Sequence, residues 1–373
     1  MKNYLLTLVT LFLYLISEGQ PTLTSFTPVS GPTGTQVTIT GAGFSTVKEN
    51  NTVYFGSIQA AVSASTPTSL TVNVPKGAVQ ANISVTVNHL TTYSAQPFLV
   101  EFPGGGIITS LSFESKQSFG TGQHPYGITT GDFDNDGKPD VATVSNANVP
   151  ATFVSVHRNT GGSGTIAFEQ PINLTLGDNG YGLTTADFDG DGKLDLAATY
   201  IANNGNVSVF RNTSSNGTIR FANPVSYTAG NSPYTVQASD IDNDGKPDLV
   251  ICNYTGNSLS VLRNTSTPGA ISFAAKVSFT TALSPWDLAV GDVDGDGKHD
   301  VVTGNRLSNN ISLFKNTSSS GTISFASRID IGTGYGPQGV AIGDLDGDKK
   351  PEIAVVNANE NNVSVYRNIS TIG

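Results

Sequence analysis

One nine-residue pattern, Asp-x-Asp-x-Asp-Gly-x-x-Asp, recurs five times and constrains the fold of this chain more than any other feature. It comprises Asp132, Asp134, Asp136 and Asp140; Asp187, Asp189, Asp191 and Asp195; Asp240, Asp242, Asp244 and Asp248; Asp292, Asp294, Asp296 and Asp300; and Asp344, Asp346, Asp348 and Glu352. The first aspartates lie 55, 53, 52 and 52 residues apart. Other markers keep step with them. A Phe falls 19 residues before each motif (Phe113, Phe168, Phe221, Phe273, Phe325), and an apolar run such as Leu196-Ala197-Ala198 follows it. An alternating segment then ends in a basic-Asn pair: Arg158-Asn159, Arg211-Asn212, Arg263-Asn264, Lys315-Asn316 and Arg367-Asn368. A repeat near 50 residues built only of strands indicates propeller blades. Each unit is expected to hold four strands: one entering the motif, one leaving it, one ending at the basic-Asn pair and one around the Phe. The Phe-type segment Leu111 to Phe119 is positioned to pair beside the last unit and close a five-bladed ring. The chain stops where other units continue into Gly-Thr-Ile-Ser-Phe, which leaves open a larger propeller.

Carboxylates at alternate positions of a tight loop converge on one hard cation. Positions 1, 3, 5 and 9 supply them here, and position 6 is Gly for the sharp turn. Position 7 offers a main-chain carbonyl, at Lys138, Lys193, Lys246, Lys298 and Lys350. This follows the first half of an EF-hand loop, with strands in place of helices. No His or Cys completes the set, which disfavours zinc, copper and iron; magnesium favours a smaller, water-rich octahedral site. The motifs hold 20 of the 29 carboxylates, a density that is self-repelling without a cation. Up to five structural Ca²⁺ are therefore expected, and their charge would cancel the net −10 of the chain. Extracellular sites of this kind bind at about 10⁻⁴–10⁻³ M. In the fifth motif Lys349 replaces the glycine, so that site is expected to be the weakest.

Residues 108–373, carrying these loops at this spacing, resemble the FG-GAP/VCBS repeat family, whose blades also occur in integrin α-subunit propellers. The resemblance implies a calcium-loop β-propeller, usually of seven blades, serving adhesion or the binding of proteins or glycans.

Ahead of the repeats, short alternating runs such as Gln36–Thr40 and Ser69–Val74 lie between turn clusters, the pattern of a small β-sandwich. Ser25-Phe26-Thr27-Pro28, Gly31-Pro32-Thr33-Gly34-Thr35, Gly41-Ala42-Gly43-Phe44, Val53-Tyr54-Phe55-Gly56 and Val74-Pro75 resemble the immunoglobulin-like IPT/TIG family. That resemblance implies a spacer or interaction module. Residues 1–19 read as a secretory signal, with Lys2 before a 13-residue apolar stretch too short to span a membrane. The expected organisation is a signal peptide at 1–19, a sandwich at 20–101, a linker at 102–107 and a propeller at 108–373. The fold class is all-β.

Six residues before four of the motifs stands an aromatic: Tyr126, Tyr181, Tyr234 and Trp286; the fifth unit has Gln338 there. Around a propeller axis these rings form either a ligand-stacking crown or packing between blades. The acidic balance argues against a nucleic-acid partner. No nucleophile elbow, zinc-protease helix or phosphate loop is present, and the four His are scattered. The reading is a secreted or cell-surface, non-enzymatic, calcium-binding adhesion or recognition protein with an extracellular protein or glycan partner. The alternatives are a glycan-active enzyme or carbohydrate-binding scaffold, and a structural surface spacer.

Overall fold

The computed structural model describes residues 20–102, 112–146, 152–162, 164–201, 205–215 and 217–371. The expected signal peptide, residues 103–107 of the linker and Leu111 lie outside the described residues. Among these residues there is no α-helix, and no helix long and apolar enough to cross a membrane.

The N-terminal domain is a sandwich of two sheets. One has the order β1 (Thr22–Thr27), β3 (Gln36–Ala42), β7 (Ser69–Asn73), β6 (Val62–Thr66). The other runs β2 (Ser30–Gly31), β9 (Leu90–Val100), β8 (Ala81–Val87), β4 (Asn51–Phe55), β5 (Ile58–Ala60). Alternation along β3 and β7 sends Val37, Ile39, Leu70 and Val72 inward, and the register sets Val37 beside Val72 and Ile39 beside Leu70. They close on Val53, Phe55, Ile83, Val85 and Phe98 of the second sheet, all fully buried.

The repeats form five consecutive antiparallel sheets. The first is β10 (Pro125–Gly131), β11 (Asp140–Ser145), β12 (Thr152–His157) and β13 (Ile172–Leu176); the second is β14 (Gly180–Ala186), β15 (Asp195–Tyr200), β16 (Asn206–Phe210) and β17 (Val225–Thr228). The third is β18 (Pro233–Ser239), β19 (Asp248–Asn253), β20 (Ser258–Leu262) and β21 (Val277–Thr280); the fourth is β22 (Pro285–Gly291), β23 (Asp300–Asn305), β24 (Asn310–Phe314) and β25 (Ile329–Gly332). The fifth holds β26 (Pro337–Gly343), β27 (Glu352–Asn357) and β28 (Asn362–Tyr366). The first strands β10, β14, β18, β22 and β26 pack side by side in that order. Gly127 and Gly182 permit this approach, since a Cβ at either would meet the main-chain carbonyl of Tyr181 or Tyr234 at 2.6 and 2.4 Å. This is the blade arrangement of a β-propeller.

Two expectations change. The fourth strand does not contain the recurring Phe. Phe168, Phe221, Phe273 and Phe325 each make an isolated bridge to the Asn of the basic-Asn pair, and the strand starts four residues later. The side chains of Ser214, Ser266 and Ser318 bond both to the N–H of a residue six further on and to its carbonyl, tying this stretch into a compact loop. The second change concerns closure. Residues 112–119 are not a strand, and the fifth sheet has three strands among the described residues. Among them, no contact comparable to those between successive blades joins β26 to β10, and Val356, Val363 and Val365 on the fifth sheet are exposed.

Neighbouring blades are stitched by the basic-Asn asparagines. Nδ2 of Asn212, Asn264, Asn316 and Asn368 donates backward to the position-2 carbonyl of an earlier loop, at Phe133, Phe188, Ile241 and Val293, over 2.7–2.9 Å. A second bond from each reaches the position-8 carbonyl of its own loop. Replacing the fully buried Asn264 by Ala is expected to leave two buried carbonyls unpaired and cost about 2–4 kcal/mol, measured by denaturant unfolding.

Candidate functional site: five acidic hairpin loops

Each Asp motif is the hairpin turn between the first two strands of a blade. The registers Gly131–Asp140, Ala186–Asp195, Ser239–Asp248, Gly291–Asp300 and Gly343–Glu352 are equivalent, so position 9 always opens the second strand. The turn needs left-handed backbone twice. Position 6 has φ of 82–85° at Gly137, Gly192, Gly245 and Gly297, and 73° at Lys349. Position 4 has φ of 55–80° at Asn135, Gly190, Asn243, Gly295 and Gly347, which explains why only Asn or Gly stands there. That signal was present in the sequence and unread.

The carboxylates divide the work. At position 1, Asp132 accepts the N–H groups of Asp136 and Gly137 at 3.0 and 2.8 Å, and Asp187 and Asp240 do likewise in their loops. At position 9, Asp140, Asp195, Asp248, Asp300 and Glu352 each accept the position-2 N–H on one oxygen and the N–H of the basic-Asn asparagine on the other. Position 3 keeps one oxygen over in two loops, while Oδ2 of Asp134 accepts from Arg158 and Oδ2 of Asp242 from the N–H of Gly321. Oδ1 of Asp134 and of Asp242 is buried with no hydrogen-bond partner.

In every loop three carboxylates offer oxygens within 4.8 Å of one another: Asp132, Asp134 and Asp136; Asp187, Asp189 and Asp195; Asp240, Asp242 and Asp248; Asp292, Asp294 and Asp300; Asp344, Asp346 and Asp348. An all-oxygen, convergent donor set with stranded buried oxygens fits a hard divalent cation such as Ca²⁺. Asp191, Asp244 and Asp296 complete the expected sets at position 5, and each accepts the position-7 N–H of its own loop. A depression of ≈ 460 Å³ beside the first loop is lined by Asp134, Asn135, Lys193 and Ser214. The side chains of Lys193, Lys246, Lys298 and Lys350 turn to the carbonyls of Ser214, Ser266, Ser318 and Ser370. Lys138 instead stands 3.8 Å from Asp136.

Sequence reasoning took the basic-Asn pair as a repeat marker only. Its cation in fact faces the acidic loop of its own blade. Arg158 reaches Asp134 at 2.6 Å and Asp136 at 2.8 Å, and Arg367 reaches Asp346 at 2.7 Å. Lys315 bonds Asp294, Arg263 lies 3.6 Å from Asp244, and Arg211 lies 3.8 Å from Asp191. One basic group cannot balance four carboxylates. Asp140, Asp187 and Asp240 are pushed up to about 7, and Asp132 and Asp300 to about 6, first by burial; neighbouring carboxylates add to this and main-chain donors oppose it. At the exposed fifth loop, Arg367 instead holds Asp346 below its usual value.

At the opposite ends of the first strands lie the aromatics. Tyr126, Tyr181, Tyr234 and Trp286 are each the second residue of β10, β14, β18 and β22. Tyr181 and Tyr234 stack at 4.2 Å, Tyr126 meets Tyr181 edge-on at 4.9 Å, and Trp286 meets Tyr234 edge-on at 5.0 Å. Sequence reasoning missed Tyr254, stacked on Tyr234 at 4.7 Å, and Arg306, whose guanidinium lies 4.6 Å over Trp286. The four expected rings, with Gly127 and Gly182, line a depression of ≈ 210 Å³, and half of Tyr126 is exposed.

The repeats match the FG-GAP-like repeat model over residues 144–198, 199–251, 240–303 and 292–355. The chain belongs to the FG-GAP-like repeat family. Residues 21–100 match the IPT/TIG domain. No curated protein matches the chain. Similar solved structures include an auxiliary nutrient binding protein from Bacteroides ovatus, 12% identical, covering 93% of this chain and 98% of that one at a TM-score of 0.39. A lectin from Agrocybe aegerita described as recognising non-reducing terminal N-acetylglucosamine is 17% identical, with coverages of 92% and 90% and a TM-score of 0.42. A protein from Bacteroides thetaiotaomicron described as a phosphatase is 14% identical, with coverages of 93% and 85% and a TM-score of 0.40. None of these likenesses assigns a ligand or an activity to the FG-GAP-like chain.

The raised carboxylates fix the sign of a pH effect. Without cation, the folded chain holds protons that the unfolded chain releases near pH 4, so this stabilisation is present at mild acidity and is lost as pH rises through about 6–7. Calorimetry in chelator is expected to show a lower Tm at pH 8 than at pH 5, with millimolar calcium abolishing the drop. Lys349→Gly is expected to relieve left-handed strain of about 1 kcal/mol and stabilise the protein, measured by denaturant unfolding.

Proposed function

We propose that this FG-GAP-like chain is a secreted or cell-surface recognition protein in which Ca²⁺ is structural, held in the five hairpin loops. One observation carries the calcium reading: carboxylate oxygens converge in every loop while Oδ1 of Asp134 and Asp242 is stranded in the interior. The cation would be held by the carboxylates at positions 1, 3, 5 and 9 with the position-7 carbonyl, and it would supply charge neutralisation and a fixed turn. The expected boundaries, a leader at 1–19, a sandwich at 20–101 and a propeller at 108–373 after a short linker, are part of this proposal.

Recognition is assigned to the face opposite the loops. The half-exposed Tyr126 and the depression beside it favour a ligand with a flat apolar side, such as a sugar ring or an aromatic of a protein loop. Binding of a carbohydrate stands level with protein adhesion on this surface. The chain is read as non-enzymatic, because 20 of its 29 carboxylates are engaged in the loops.

Thermal unfolding in EDTA and in 1 mM calcium, followed by a glycan array in calcium, tests both parts. With dissociation constants of about 10⁻⁴ M, each filled site adds about 1.4 kcal/mol, so a large rise in Tm is expected. A Tm indifferent to calcium removes the metal assignment. Array hits that disappear in Tyr126→Ala place a glycan on the aromatic face, whereas a blank array favours a protein partner.

A further inference from the structure

The sandwich does not stand apart from the propeller; it rests on the acidic loops and, among the described residues, only on the first three. At the first loop, the N–H of Asp132 donates to the Ser57 carbonyl at 3.2 Å. At the second, Tyr54 Oη donates to the Gly192 carbonyl at 2.7 Å, and His89 Nδ1 donates to the Gly190 carbonyl at 2.5 Å. At the third, the N–H of Thr91 donates to the Gly245 carbonyl at 2.7 Å, and Gln20 Nε2 lies 3.5 Å from Asp240 Oδ2. Close packing accompanies these bonds. A Cβ on Gly190 would come within 2.7 Å of His89 Cβ, and one on Gly245 within 3.0 Å of Leu90 Cβ. Tyr54 is buried in the same apolar cluster as Phe133 and Leu194 of the first two loops.

Exposure follows this coverage. In the clusters of the first three loops nearly every carboxylate is buried; in the fourth two of three are half-buried; in the fifth all are exposed. Both stranded oxygens belong to capped loops, on Asp134 and Asp242, whose residues are 2% and 1% exposed. The carbonyls that accept from the sandwich belong to positions 4 and 6, the two left-handed residues that shape the turn. Position 6 also directly precedes the position-7 carbonyl expected to face the cation. A cation that fixes the turn therefore fixes the acceptors on which the sandwich docks.

We propose that the sandwich is the cap of the first three cation sites, so that its docking and the filling of loops 1–3 form one linked equilibrium, while loops 4 and 5 fill independently. This rests on the calcium reading above. By reciprocity, whatever weakens docking weakens calcium at three sites, and whatever empties those sites loosens the domain. The occupants thus fall into three shielded ions and two that exchange freely with solvent.

Calorimetric titration of the protein with calcium, with small-angle scattering in calcium and in EDTA, tests this. Two classes of site are expected, three tight and two weak, with a larger radius of gyration in EDTA. Tyr54→Phe deletes one docking bond while keeping the ring, and His89→Ala alters an exposed residue, so both variants are expected to fold. Each should weaken the tight class about five- to tenfold and leave the weak class unchanged. Lys349→Gly should shift the weak class alone. Five equivalent sites, or unchanged tight sites in both docking variants with a radius indifferent to EDTA, overturn the linkage while the calcium reading stands. Absence of any calcium binding overturns both.

Discussion

The structure depends on how four carboxylates are accommodated in a nine-residue hairpin turn. Like charges at this density repel strongly once water is removed, and position 9 lies in the interior of the blade. The chain answers in three ways. The carboxylates at positions 1 and 9 are turned onto main-chain N–H groups, the basic residue from the third strand is laid against the loop, and one oxygen from each of three carboxylates is brought close to the other two. The first two measures also fold the loop. Position 9 in particular couples the turn to the third strand through the asparagine N–H, so the charge problem and the blade architecture have one solution.

That solution extends beyond a single blade. The asparagine that gives its N–H to position 9 uses its side chain to reach the loop of an earlier blade, and where position 2 is a Phe the recurring Phe packs on its ring, in Phe133–Phe221 and Phe188–Phe273 at 5.8 and 5.6 Å. The acidic turn therefore meets the neighbouring blade on one side and, in the first three repeats, the sandwich on another. Ordering of this turn sets strand pairing, blade stacking and domain placement together.

Much of this was legible in the sequence because it is local and repeated. The five motifs, their spacing and the strand leaving each one follow from periodicity, and the left-handed glycine at position 6 follows from turn chemistry. The fourth strand was misplaced for a physical reason: Gly-Thr-Ile-Ser-Phe alternates like a strand, yet Ser214, Ser266 and Ser318, two residues after their asparagines, bend that stretch into a loop. The roles of Arg158 and its counterparts, and of Tyr54 and His89 on the second loop, depend on contacts across the fold. Nothing in the local pattern around Tyr54 distinguishes a residue of the sandwich core from one that reaches a loop 138 positions away.

The asparagine stitches all run in one direction, each blade reaching back to an earlier one. An array joined this way behaves as a one-dimensional stack of nearest-neighbour contacts. Its third sheet is covered on both faces, whereas the fifth exposes Val356, Val363 and Val365 and, among the described residues, is fastened only backward, through Asn368 and through the bonds of Gly336 and Val340 to Asn309 and Asp287. Thermal fluctuation thus acquires a polarity. Amide exchange should grade from fast in β28 to slow in β19, and fraying that starts at the fifth blade can travel inward one stitch at a time before it reaches the blades beneath the sandwich.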